Sequence, residues 1–230
     1  MQLKGHRNRW PFSSQANTGR QGTVSRRLKL ILAGLTAALM LMMTIASASA
    51  NRLSLSNRNF RAVWTNLELQ SAAGTVRCPL TLEGSFHYNT IAKRESALIG
   101  HVSRASVNNG ACTNGHATII QERLPWHVTY GGFTGTLPRI TGLKLSLVNA
   151  TYRFEIGGFV CTTQTTAANP AKGIVNLTNG VAESLRADET TGIPLRGSFL
   201  CEFGGEDHFQ GTTTSLTLLG NTTKMTLTLI

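Results

Sequence analysis

Residues 76–88 read VRCPLTLEGSFHY, and the apolar or small side chains fall at every second position. Val76, Cys78, Leu80, Leu82, Gly84, Phe86 and Tyr88 share one face of an extended chain, while Arg77, Thr81, Glu83, Ser85 and His87 share the other. A period of two marks a strand with one dry and one wet face, because successive side chains point to opposite sides. Pro79 has no N–H to donate, which predicts that this strand begins at an edge. Similar patterning predicts strands at residues 60–69, 97–107, 117–122, 143–148, 151–160 and 195–203. Long amphipathic helical patterns are scarce.

Turn chemistry divides the strands. Gly220-Asn221 inside SLTLLGNTTKMTLTLI predicts a hairpin that sets Leu216 against Met225 and Leu218 against Thr223. Asn179-Gly180 predicts a second turn between IVNLT and VAESL; Val181, Leu185 and Glu189 also suit a short helix, so the second half of that unit stays open between strand and helix. In LPWHVTYGGFTGTLP, residues 124–138, Gly131-Gly132 fits the centre of a two-residue hairpin. Tyr130 then faces Phe133 and Trp126 faces Leu137. Trp126, Val128, Tyr130, Phe133, Gly135 and Leu137 collect on an inner side, and His127, Thr129, Thr134 and Thr136 on an outer one. The predicted class is all-β, an antiparallel sandwich or barrel of about ten short strands.

Charge changes the picture only at the N-terminus. The 230-residue chain has a formal net charge of +11, yet residues 1–50 hold seven basic residues and no acid. Removing Lys4, Arg7, Arg9, Arg20, Arg26, Arg27 and Lys29 from 22 basic residues leaves 15 against 11 acids, a modest excess with no basic stripe. That argues against a nucleic-acid partner. The leader SRRLKLILAGLTAALMLMMTIASASA instead reads as a basic stretch, an apolar run at residues 30–46 and a small-x-small ending, so it predicts a signal helix cleaved after Ala50. Left uncleaved, the run at residues 30–50 would serve as a signal anchor and the only membrane contact. Lys29 stands where a twin-arginine signal wants a bulky apolar residue. In either case residues 51–230 form one exported domain.

The cysteines agree with that address. Cys78, Cys112, Cys161 and Cys201 all follow the leader, an even number with no pair closer than 34 residues. This spacing favours two disulfides over a zinc site. Three pairings are possible; the sequential one closes the shortest loops. The leader, CPLTLEGSFH and LPWHVTYGGFTGTLPRI together resemble a group of uncharacterised exported proteins of actinobacteria. The resemblance spans most of the mature chain and implies export and a shared β fold. It transfers no activity and no functional residue.

Candidate chemistry is sparse. There is no His-Glu-x-x-His helix, no Gly-x-Ser-x-Gly elbow and no phosphate loop, so no catalytic residue and no cofactor is assigned. CEFGGEDHF gathers Glu206, Asp207 and His208, a weak metal set that would need a further ligand such as His127 or His116; an extracellular hydrolase or metal-dependent enzyme built on it is one alternative. Trp126, His127 and Tyr130 are the candidate ligand contacts, and Trp64, Trp126 and Tyr130 could form the stacking platform of a carbohydrate-binding module, a second alternative. Asn149, Asn176 and Asn221 sit in N-x-T sequons. The leading expectation is an exported envelope or secreted domain with a structural or binding role toward an envelope or extracellular partner.

Overall fold

The computed structural model describes residues 52–71, 74–199, 201 and 206–230, with backbone alone for 188–191 and 206–207. The leader, with its expected signal helix and Ala50 site, lies outside the described residues. The described chain is all-β and antiparallel. In order, it forms β1 (Arg52–Leu55), β2 (Asn59–Ser71), β3 (Gly74–Phe86), β4 (Thr90–Ala92) and β5 (Leu98–Val107). Then come β6 (His116–Ile119), β7 (Trp126–Thr136), β8 (Arg139–Val148), β9 (Thr151–Ile156) and β10 (Phe159–Gln164). β11 (Ala171–Thr178), β12 (Val181–Gly197), β13 (Glu206–Thr212), β14 (Ser215–Leu218) and β15 (Leu227–Leu229) complete it.

The pairings β2–β3, β3–β5, β5–β7, β7–β8, β8–β11, β11–β12, β12–β13 and β13–β2 return to their starting strand, so this sheet is a closed barrel. β14 continues β13 along β2 in the same register, from Ser215 opposite Val63 to Leu218 opposite Phe60. Closure leaves the ring no unpaired edge. Eight strands is also the size at which an interior is either filled by side chains or holds one small ligand.

A narrower ring adjoins this barrel. The far half of β12 pairs with β10, β10 with β9 and β9 with β6. The segment leading into β6 returns to β3 through the single bridge of Arg77 to Thr113. Pro79 sits where β3 changes neighbours: from Leu80 onward β3 pairs with β5, and before it the strand meets only Thr113 on that side. The expected edge is therefore a handover between two neighbours, at a residue that needs no donor. The Cys78–Cys112 disulfide fastens this handover, and Cys161–Cys201 fastens the narrow ring. A three-stranded sheet, β15-β1-β4, contributes Leu53, Ile91 and Leu227 to the core, all buried.

Where turn residues were unambiguous the chain turns as expected. β11 and β12 form a hairpin around Asn179 and Gly180, both at positive φ, and the segment open between strand and helix is strand. Three expectations are corrected. Residues 151–160 are not one strand, because Gly157-Gly158 turns the chain between β9 and β10. After Gly220-Asn221 the Leu218 N–H does bond to the Thr223 carbonyl, but the chain then leaves β14: Met225 accepts from the Ala182 N–H and β15 pairs with β1. The Gly131-Gly132 pair is not a turn at all.

β7 instead runs straight through these glycines and pairs along its length with β8, from His127 opposite Val148 to Thr136 opposite Arg139. The extra residue is absorbed as a bulge between Tyr130 and Gly132, where Gly132 takes φ +123°. The chain reverses at Leu137-Pro138, where proline's missing N–H costs no ladder bond. Trp126, Val128 and Tyr130 are buried as expected. Past the bulge the expected inner face fails: Phe133 is half-buried, and Gly135 and Leu137 are exposed.

Candidate functional site

Inward-facing side chains of the barrel are apolar, but several are small. Ala62 of β2, Ala171 and Gly173 of β11 and Ala187 of β12 stand where larger side chains would reach the axis. Around them Phe60, Trp64, Leu82, Trp126, Val128 and Val175 form the wall, and Ala117, Ile119 and Tyr152 of the narrow ring meet it. The result is an apolar cavity of about 150 Å³. At roughly 24 cal/mol per Å³, a void of that size costs a core about 3.6 kcal/mol relative to filled space.

Most of the lining residues that are only partly buried, Leu145, Leu147, Ala171, Gly173, Leu185 and Ala187, gather on β8, β11 and the start of β12, with Leu80 of β3 and Val107 of β5 apart from them. Ser146 and Lys172, opposite each other across β8 and β11, also border the cavity. This is the side on which it approaches solvent.

Two polar atoms stand out in the wall. Trp64 is 3% exposed and Trp126 is 2% exposed, and each indole N–H is buried without a hydrogen-bond partner among the described residues. Trp64 is placed by its pairing with Leu80 just before a bulge in β2, and Trp126 by its pairing with Val102 at the start of β7. Leaving such a donor unpaired costs about 1–3 kcal/mol. Tyr130, 3% exposed, packs nearby in sequence, and burial pushes its phenol above the usual tyrosine value.

The sequence-level candidates fall apart in space. Trp64, Trp126 and Tyr130 are all buried, so the surface stacking platform they were expected to offer does not exist. His127 is exposed on β7 and lies opposite His101. His116, also exposed, is on β6 opposite Glu155, and half-buried His208 is on β13 opposite Gln70. No strand pairing makes His208 a neighbour of His116 or His127. Backbone pairing places Glu206 opposite Pro194 and Asp207 opposite Ile193; their side chains lie outside the described residues. Among the described residues no three His, Cys, Asp or Glu side chains gather as a metal set. Among the sequons, Asn221 is exposed and the Asn176 amide donates to the Ser184 hydroxyl.

Sequence reasoning missed a shallow groove lined by Arg58, Asn59, Ser85, His87, Tyr88 and His101. The His87 and His101 rings are 5.7 Å apart, the Ser85 Oγ lies 3.5 Å from the His101 Nε2, and Arg58 donates to the His87 carbonyl. No carboxylate hydrogen-bonds to His101 among the described residues, so the pair lacks the orienting acid of a serine triad. The cavity was missed for a different reason: alanine and glycine at inward positions read only as tolerated small residues. Among the described residues no helix is long and apolar enough to cross a membrane. Comparison with protein-family models, curated proteins and solved structures gives no match.

Proposed function

We propose that the chain is an exported binding module of the cell envelope or extracellular space, and that its ligand, a small apolar molecule, occupies the barrel interior. The observation that carries this reading is the apolar cavity of about 150 Å³ inside a closed eight-stranded barrel. Apolar cavities of this order stay dry and accept single-ring guests. Two disulfides support an oxidising compartment. The basic and apolar leader with its Ala48-Ser49-Ala50 ending supports secretion or anchoring by the same route, and the resemblance to exported actinobacterial proteins points the same way.

Filling the void recovers up to about 3.6 kcal/mol, a dissociation constant in the low millimolar range for a bare hydrocarbon. Toluene at about 5 mM then raises Tm by roughly 1–3 °C through mass action on the folded state. Benzoate, of similar shape but charged, gives no rise, because neutral indole donors do not offset the hydration an ionised carboxylate loses on burial. A differential scanning measurement decides. No shift with toluene, or an equal shift with benzoate, overturns the reading.

A further inference from the structure

The two indole N–H groups sharpen the ligand's chemistry, on the assumption that the barrel interior is the binding site. Trp64 and Trp126 come from strands that are not neighbours, β2 and β7, yet both rings line one cavity. Both are more than nine-tenths buried and both donors lack an acceptor among the described residues. Buried indoles usually find a partner. Phenylalanine would supply an apolar wall at either position without that penalty.

We propose that the barrel's ligand is a neutral, apolar molecule of about one ring that carries a hydrogen-bond acceptor, such as a ketone or ester oxygen, and that the Trp64 and Trp126 indoles donate to it. An indole N–H only donates, so the pair selects acceptors and gives nothing to a second donor. Neutrality follows from the wall: Lys172 borders the cavity from an exposed position on β11, and no other charged side chain among the described residues lines it. An ionised ligand would lose its hydration against neutral donors alone, without a buried counter-charge. Both indole nitrogens are themselves buried, so an acceptor in the cavity reaches them as the rings turn toward it.

The test uses the full chain with acetophenone and α-methylstyrene, which share a shape and differ in a carbonyl oxygen replaced by a methylene. Trp64→Phe and Trp126→Phe each weaken acetophenone binding about fivefold or more, the loss of one hydrogen bond, and leave α-methylstyrene within about twofold. Equal changes for both compounds, or none for either, overturn the proposal. A second readout avoids reliance on the variants' stability. In ¹⁵N-indole spectra of the wild-type protein, acetophenone shifts the Trp64 or Trp126 N–H proton downfield relative to the α-methylstyrene complex. Identical indole shifts in the two complexes overturn it. Failure of both compounds to bind overturns the barrel-interior reading together with it. Binding of both compounds with no indole response to acetophenone overturns the acceptor proposal alone.

Discussion

Ala62→Val adds two carbons to the cavity wall at a position that is 0% exposed and already inside the barrel. Ala62 is flanked across the sheet by Leu82 of β3 and Leu216 of β14, both also in the lining, so its Cβ shares their inward face of the barrel. Each buried carbon contributes about 0.8 kcal/mol, which sets an upper limit of about 1.6 kcal/mol of added stability. A β-branched residue also suits a strand. For a domain of this size the gain corresponds to a rise in Tm of roughly 3–6 °C. Scanning calorimetry with the disulfides intact measures it, and urea titration at unchanged m-value checks that the gain is one of stability. The same variant binds toluene more weakly, because its new carbons occupy guest volume. A gain in stability coupled to a loss of binding is the signature of filling a real void. A loss of about 1–3 kcal/mol, the usual result of overpacking, refutes the reasoning by showing that no free space lies beside Ala62.

Three further outcomes follow from the fold. Replacing Cys161 and Cys201 by serine opens a loop of 40 residues and removes about 4 kcal/mol of stability on the chain-entropy model, read from urea midpoints; a loss under about 1 kcal/mol contradicts the loop argument. Gly84→Ala would bring a Cβ within 2.2 Å of the His101 carbonyl oxygen, so the β3–β5 pairing must shift and stability falls by more than about 3 kcal/mol, whereas a neutral effect means the strands are farther apart than described. Burial raises the Tyr130 phenol, so the folded chain holds that proton more tightly than the unfolded chain does. This contribution is complete below the ordinary tyrosine value of about 10 and is lost as pH rises through the folded value. Tyr130→Phe flattens the fall in stability above about pH 10, and an unchanged pH profile contradicts the assignment.

The period of two was enough to find most strands, and Asn179-Gly180 placed its turn because both residues accept positive φ. Cysteine spacing favoured the pairing that is observed without excluding the others. The Gly131-Gly132 segment shows the limit. Two glycines between aromatics satisfy a tight hairpin and a bulge equally well, and both put Trp126, Val128 and Tyr130 on one face. Deciding between them requires knowing that β8 continues past Leu137-Pro138 to pair with both halves of β7, a contact the local pattern does not contain. Barrel closure is likewise a matter of which distant strands meet, as in the pairing of β13 with β2. The cavity depends on what faces Ala62 and Gly173 across the axis. Trp126 posed a choice between scaffold and ligand contact. Its ring is buried and still borders open space, so the first role is observed and the second is compatible with it.

The claim underlying the functional reading is that the barrel encloses apolar space open to a small guest. Crystals pressurised with xenon test it without relying on any hydrogen bond, since xenon binds dry apolar cavities. The account predicts anomalous density inside the barrel, in contact with Trp64, Trp126 and Val175. Crystals that take up no xenon there, or that show the space filled by ordered water or by the surrounding side chains, contradict it.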